Sequence, residues 1–95
     1  MTGVGVRRAP GAVAHKIGGQ VVLVSLPGLE TQVLNDVGSR IWALADGRSE
    51  EAIAHQLALE FDVAATVARH DVQMFVDALV QGGWLERGEA AAREG

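Results

Sequence analysis

A chain of 95 residues without cysteine can build one modest hydrophobic core, and it offers no disulfide, no thiolate nucleophile and no cysteine-bound metal. Its net charge of −4 opposes long-range attraction to nucleic-acid phosphates, and its eight Arg and Lys residues are scattered along the sequence. Apolar runs such as "VVLV" at residues 21–24 are far shorter than the roughly 20 residues that span a bilayer. We therefore expect a cytoplasmic protein that binds neither membrane nor nucleic acid.

The first third of the chain predicts three β-strands. Residues 1–11 mix Gly, Pro and Arg without periodicity, which predicts a flexible N-terminal arm or at most an edge strand. The β-branched runs 12–17 and 20–26 flank "GG" and predict a β-hairpin. After a turn with the sequence "PGLE", a short third strand, "TQVLN", follows at residues 31–35.

The apolar rhythm then changes to that of a first helix. Asn35 or Asp36 can cap its N-terminus, and Gly47 is predicted to end it. Its apolar residues recur at helical spacing, with Trp42 widening the stripe. They are Val37, Ile41, Leu44 and Ala45.

Two further helices follow. Ser49 caps the second, whose predicted buried face is Ile53, Leu57 and Phe61. The third is predicted over about residues 65–81, ending at "GG". Its predicted buried residues are Val72, Phe75, Val76 and Leu79.

This order of elements predicts an α+β fold of the winged-helix type, with a three-stranded antiparallel sheet followed by three helices. The predicted domain covers residues 12–86. The Ala-, Glu- and Arg-rich residues 87–95 are predicted to form a flexible C-terminal tail.

Catalytic and metal-binding patterns are not evident in the sequence. His15, His55 and His70 lie on different predicted elements and lack metal-ligand spacing. No serine lies in a nucleophile elbow, and "GVG" at residues 3–5 neither follows a strand nor opens a helix. We therefore expect no catalytic residue, no metal and no cofactor.

Two binding functions are open to a domain of this kind. A winged-helix DNA-binding regulator is one alternative, but the third helix carries Arg69 against Asp71 and Asp77, which does not favour phosphate contacts. The short strand at residues 31–34 is the other candidate, because an edge strand can pair with an extended peptide or with a second copy as a homodimer.

The chain resembles the PqqD-like domains, the precursor-peptide recognition elements of ribosomally made and post-translationally modified peptides. The resemblance runs from Ala12 to Glu86 and includes the segments "VLNDVGSRIWALADG", "SEEAIAHQLALEF" and "DVQMFVDALVQGGWLE". Within these segments, it is carried by Leu34-Asn35, Asp46-Gly47, the Ile53 to Phe61 helix, Asp71-Val72, Phe75, Leu79 and Gly83-Trp84-Leu85.

The resemblance implies that the leader segment of a precursor peptide adds as a strand along the third strand, in a groove whose other wall is the third helix. Core packing is an alternative role for Leu34, Val72 and Phe75, and a solvated surface position is the alternative for Arg69 and Asp71. The implied peptide-binding residues are Thr31, Gln32, Val33, Leu34, Val67, Arg69, Asp71, Val72, Phe75 and Val76.

Within the family, the chain is most similar to the free-standing leader-binding proteins of lasso-peptide clusters. That similarity implies a non-catalytic adaptor that works with a transglutaminase-like leader peptidase and an ATP-dependent macrolactam cyclase. The alternative within the family is a peptide chaperone for a radical enzyme, as in pyrroloquinoline quinone synthesis.

Overall fold

The computed structural model describes residues 4–25 and 30–89, and these residues form two three-stranded sheets and three helices. In chain order the elements are β1 Val4–Arg8, β2 Ala12–Ile17, β3 Gln20–Ser25, β4 Thr31–Leu34, α1 Asp36–Leu44, β5 Asp46–Ser49, α2 Glu50–Phe61, α3 Ala65–Gln81 and β6 Leu85–Glu89.

The first sheet has the strand order β2-β3-β4 and is antiparallel throughout, as the sequence predicts. Its hairpin turns at Gly18 and Gly19, whose φ angles of 59° and 87° are favourable only for glycine. β4 pairs with β3 in a register that sets Leu34 opposite Val21. Most of the predicted "PGLE" turn lies outside the described residues.

A second antiparallel sheet, with the order β5-β1-β6, is absent from the sequence prediction. β1 is its central strand and Val6 is fully buried, so the prediction of a flexible arm is wrong for residues 4–8. The predicted flexible tail is likewise wrong for residues 87–89, which lie in β6. Residues 4–8 and 85–89 are ordered because they pair with each other across the length of the chain, and no local sequence pattern indicates such pairing. Residues 1–3 and 90–95 lie outside the described part of the arm and the tail.

The helix caps largely follow the sequence. Asn35 Oδ1 accepts a hydrogen bond from Gly38 N at 2.8 Å, and Ser49 Oγ accepts one from Ala52 N at 3.1 Å. Helix α3 has the predicted bounds. Gly47 does not end α1, however: the helix ends at Leu44, and Gly47, with φ 109°, lies inside β5.

The core joins both sheets to all three helices. Phe61 is not part of it, because α2 ends at that residue and its side chain is 38% exposed. Phe75 is half-buried and packs against the edge of the core. The largest fully buried side chains are Leu23, Ile41, Ile53, Leu57, Leu85, Val6, Val72 and Val76.

Ser39, on α1, is a buried polar residue at the end of the β3–β4 pairing. Its Oγ accepts a hydrogen bond from Val21 N at 3.0 Å and donates one to Leu34 O at 3.3 Å. Val21 and Leu34 are cross-strand partners, so the hydroxyl bridges the last pair of the β3–β4 ladder. Ser39 thereby attaches the end of β4 to α1.

Replacing Ser39 with alanine should destabilise the fold by about 1–3 kcal/mol, because the buried Val21 N–H loses its acceptor. Urea denaturation followed by circular dichroism measures this change. A variant as stable as the wild type would contradict the role given to the hydroxyl.

Arg40 and Glu60 join α1 to α2 through two hydrogen bonds, Nε to Oε1 at 2.6 Å and Nη2 to Oε2 at 2.7 Å. Gln56 adds a third, from Nε2 to Glu60 Oε2 at 2.8 Å. The bonds from Arg40, followed by that from Gln56, lower the pKa of Glu60 from 4.5 to about 2.

Because folding lowers the pKa of Glu60, its contribution to stability is complete above pH 4.5 and is lost as the pH falls towards 2. Glu60→Gln should therefore reduce the dependence of the urea midpoint on pH in this interval. Arg40→Gln should have the same effect, since it removes the main donor. Asp46, whose pKa is lowered by Arg48, should supply part of the slope that persists. Wild-type slopes in both variants would contradict the assignment.

Candidate functional site

The outer edge of β4 is open, because within the described residues this strand pairs with β3 alone. Ser25 N donates to Glu30 O at 3.0 Å, which makes Ser25 and Glu30 a hydrogen-bonded pair. Hydrogen-bonded and non-hydrogen-bonded pairs alternate in an antiparallel ladder. Thr31 and Val33 therefore direct their N–H and C=O groups away from β3, where they can pair with an added strand.

The side chains of β4 alternate between the two faces of the sheet. Leu34 points into the core and is 3% exposed, so Gln32 lies on the same, helix-facing side. Thr31 and Val33 lie on the other face, and the Val33 side chain is 58% exposed. On the open edge, Val33 thus offers its backbone, whereas Gln32 offers a side chain on the side of the helices.

A groove of about 300 Å³ lies between the start of α1 and the middle of α3, beside the end of β4. We call it the α1–α3 groove. Its surface is mostly apolar, and among the described residues Asp71 is the one ionisable side chain that lines it. The lining residues are Asn35, Val37, Gly38, Ile41, Asp71, Met74 and Phe75.

Gly38 allows α1 to approach α3 closely at this groove. A Cβ atom on Gly38 would lie 2.8 Å from Phe75 Cε1, 3.2 Å from Asn35 Oδ1 and 3.5 Å from Leu34 Cβ. The first distance is too short for a real contact, so only glycine fits while the Phe75 ring holds its position. The same contacts show that the end of β4, the start of α1 and the Phe75 ring meet at one point.

The structure divides the predicted site residues into groups. Thr31, Gln32 and Val33 lie on the open edge, and Asp71 and Phe75 line the groove. Three other predicted positions do not present their side chains to a ligand, because they are buried in the core. These are Leu34, Val72 and Val76.

Arg69 is not in the groove, contrary to the prediction. Two residues along a helix are separated by about 200° around its axis, so Arg69 and Asp71 lie on opposite flanks of α3. Arg69 instead faces α2, with Nη1 3.5 Å from Glu51 Oε2. Val67, which is 49% exposed, lies one turn before Asp71 on the same flank, outside the groove lining.

Several lining residues were not predicted from the sequence. Met74 follows Asp71 by three residues, and helical spacing could have identified it. Val37, Gly38 and Ile41 belong to α1, which begins one residue after Asn35, and their place opposite α3 depends on tertiary packing.

A second groove, of about 500 Å³, lies on the other side of α1, next to β2. Its lining carries more charged side chains than that of the α1–α3 groove, among them Arg8, Lys16, Arg40 and Glu60. Arg8 Nη1 donates to Trp42 O at 3.0 Å, and its guanidinium lies 6.0 Å from the centre of the Trp42 ring. Among the residues that the structure describes, β2 pairs only with β3, so it provides a second open edge.

Residues 4–25 and 30–89 contain neither a membrane-spanning helix nor a cluster of metal ligands. No helix there is long and apolar enough to cross a membrane. The same residues contain no group of three or more His, Asp or Glu side chains placed to hold a metal ion.

The sequence model of the family described as coenzyme PQQ synthesis protein D (PqqD) matches residues 20–85. These residues include β3, β4 and all three helices. The chain therefore belongs to the PqqD family, as the resemblance in its sequence indicates. No curated protein sequence matches the chain.

Two solved structures are similar in fold and sequence. One is TbiB1 in complex with the TbiA(beta) leader peptide, which is 30% identical, covers 84% of this chain and 94% of its own, and has a TM-score of 0.76. The other is a lasso peptide synthetase B1 complexed with the leader peptide, with 29% identity, coverage of 85% and 96%, and a TM-score of 0.73. The chain is thus a PqqD-like recognition element similar to lasso-peptide B1 proteins.

Gly38→Ala tests the close approach of α1 to Phe75. In an ordinary helix interior, this change stabilises by about 0.5–1 kcal/mol. Here we expect no gain or a net loss, because the new Cβ displaces the Phe75 ring. In a Phe75→Leu background, which shortens the opposing side chain, part of this gain should return, because only the 3.2 Å approach to Asn35 Oδ1 remains tight. Thermal unfolding of the four proteins in this cycle measures the coupling, and equal effects in both backgrounds would contradict the contact.

Proposed function

We propose that this protein is a non-catalytic adaptor that binds the leader segment of a ribosomally made precursor peptide as an added strand on β4. The observation that carries the proposal is the outward N–H and C=O groups of Thr31 and Val33 beside the apolar α1–α3 groove. The backbone groups supply hydrogen bonds that any extended peptide can make, and the groove accepts one or more side chains that specify which peptide binds.

Two observations favour β4 over the open edge of β2. The family match begins at residue 20, so β4, α1 and α3 belong to the shared part of the family, whereas β2 precedes it. The groove next to β2 is also lined by more charges, several of them engaged within the protein, as in the Arg40–Glu60 pair. An apolar surface such as the α1–α3 groove stabilises a bound side chain mainly by removing it from water.

The composition of the α1–α3 groove supports binding rather than catalysis. Over residues 4–25 and 30–89, Asp71 is the one ionisable residue that lines it, so these residues do not place an acid and a base together there. The adaptor proposal therefore extends to presentation: the chain holds the leader while other proteins process the precursor.

The two similar structures support a proposal for the particular pathway. Both are B1 proteins in complex with leader peptides, and one is described as a lasso peptide synthetase. We accordingly propose a lasso-peptide precursor as the partner, with cytoplasmic delivery to a transglutaminase-like leader peptidase and then to an ATP-dependent macrolactam cyclase. The family's description in coenzyme PQQ synthesis supports a second candidate, a peptide chaperone for a radical enzyme.

The open β4 edge can also pair with a second copy of the chain, which would occupy the same backbone groups. A homodimer of this kind would compete with the leader. Peptide binding should then convert the dimer to a monomer, and sedimentation with and without peptide detects that change.

Amide hydrogen exchange tests the binding mode, with peptides selected from a displayed random library as probes. On peptide binding, exchange should slow at Thr31 and Val33, whose N–H groups point outward, and change little at Gln32, whose N–H already pairs with β3. Protection along residues 12–17 would instead place the peptide on β2. Failure to select any peptide, together with binding of duplex DNA, would favour the regulator alternative.

Val33→Pro should weaken binding of a selected peptide by about tenfold or more, because proline removes an outward N–H and places its ring at the open edge. The Val33 N–H is not part of the β3–β4 ladder, so the free energy of unfolding should change by less than about 1 kcal/mol. Fluorescence anisotropy and urea denaturation measure the two effects.

Two further variants serve as controls for this prediction. Val33→Thr retains the N–H and the β-branched shape, and should bind as the wild type does. Gln32→Pro removes an N–H that bonds to β3 and should instead destabilise the protein. Unchanged affinity in Val33→Pro would contradict strand addition at β4.

A further inference from the structure

Asp71 is a carboxylate on the surface of the α1–α3 groove. Among residues 4–25 and 30–89, no Arg, Lys or His lines this groove. Within the part of the chain that the structure describes, Asp71 forms no ion pair, whereas other carboxylates on α2 do. Those are Glu50 with Arg87, Glu51 with Arg69 and Glu60 with Arg40.

The arginines and lysine without a carboxylate partner in the described residues lie elsewhere. Arg7 and Arg8 are on β1 and Lys16 is on β2, and the last two line the groove on the other side of α1. Asn35, the other polar side chain in the α1–α3 groove, uses its Oδ1 to cap α1. Asp71 is therefore the side-chain acceptor there that is available to a ligand.

Met74 and Phe75 extend the surface next to Asp71. They follow it by three and four residues on one face of α3, so the three side chains are neighbours. Met74 is 59% exposed and Phe75 is half-buried. An arginine or lysine side chain matches this arrangement, because its aliphatic stem can cover apolar surface while its charged end reaches a carboxylate.

We propose that Asp71 is a specificity-determining residue that selects leader peptides with an arginine or lysine beside the strand paired to β4. The stem of that residue lies across Met74 and Phe75, and its charged end pairs with Asp71. Arginine fits best, because its planar guanidinium can bind the carboxylate through two hydrogen bonds and lie against the Phe75 ring. This inference rests on the proposed function.

A displayed library of random peptides, selected on three proteins, tests the inference. On the wild type, one peptide position should become enriched in Arg and Lys, and on Asp71→Asn this enrichment should disappear. Asp77→Asn is the matched control: it makes the same change on the same helix, but its carboxylate bonds to Arg87 on another flank. Its selected peptides should resemble those of the wild type.

Binding measurements with one selected peptide complete the test. Exchanging its enriched Arg for Gln should weaken binding to the wild type by about fivefold to tenfold at low salt, and hardly at all to Asp71→Asn. The difference should shrink as salt is added. Asp71→Lys should reverse the preference and enrich Asp and Glu, and thermal unfolding should show that all the variants fold.

The two proposals fail in different ways. Peptides that bind the β4 edge without enrichment of Arg or Lys, or an Arg-to-Gln exchange with equal effect on wild type and Asp71→Asn, would overturn the role of Asp71 and leave the adaptor proposal intact. Failure to obtain any binding peptide from the library would overturn the adaptor proposal itself.

Discussion

The Ser39 hydroxyl determines where the proposed binding strand ends. It bridges Val21 N–H and Leu34 C=O, so the last residue of β4 is held by β3 and α1 together. Asn35 follows immediately and caps α1 through Gly38 N–H. Because these contacts are consecutive, the direction of the open edge and the position of the first turn of α1 are set by the same few atoms.

The opposite wall of the α1–α3 groove depends on the second sheet. β6 follows α3 after a short turn and pairs with β1, which also pairs with β5 ahead of α2. Arg87 on β6 bonds to Glu50 on α2 and to Asp77 on α3. Such exposed ion pairs contribute at most about 1 kcal/mol each, so α3 is held mainly by burial of apolar side chains, among them Val72 and Val76 of the helix itself and Leu85 of β6.

The charges are divided between the two sides of α1. The side with the α1–α3 groove carries Asp71 on an apolar surface, and the side next to β2 carries Arg8, Lys16 and the Arg40–Glu60 pair. In a protein with a net charge of −4, a carboxylate that has no ion pair among the described residues favours the approach of a basic peptide over an acidic one. The basic residues thus lie away from this face of α3, whereas helices that bind DNA carry Arg and Lys on the face that meets the phosphates.

The elements that the sequence alone determined depend on local signals. The Gly18-Gly19 turn, the Asn35 and Ser49 caps and the apolar period of α3 each act within a few residues, and the structure contains all of them. The placement of residues 31–34 in a strand before the first helix was likewise predicted, from the turn that precedes them and the change to helical spacing that follows them.

Tertiary structure decided the features that depend on distant partners. β1, β5 and β6 have the sequences "VGVRR", "DGRS" and "LERGE", in which glycine and charged residues weaken any strand signal, and they become strands because they pair with one another. Packing also decided which flank of α3 lies beside the α1–α3 groove. As a result, Asp71 lines the groove and Arg69 faces α2, although only one residue separates them in the sequence. The half-burial of Phe75 also depends on packing, because it is set by how closely Gly38 of α1 approaches the Phe75 ring. The sequence of α3 by itself carries no information about this distance.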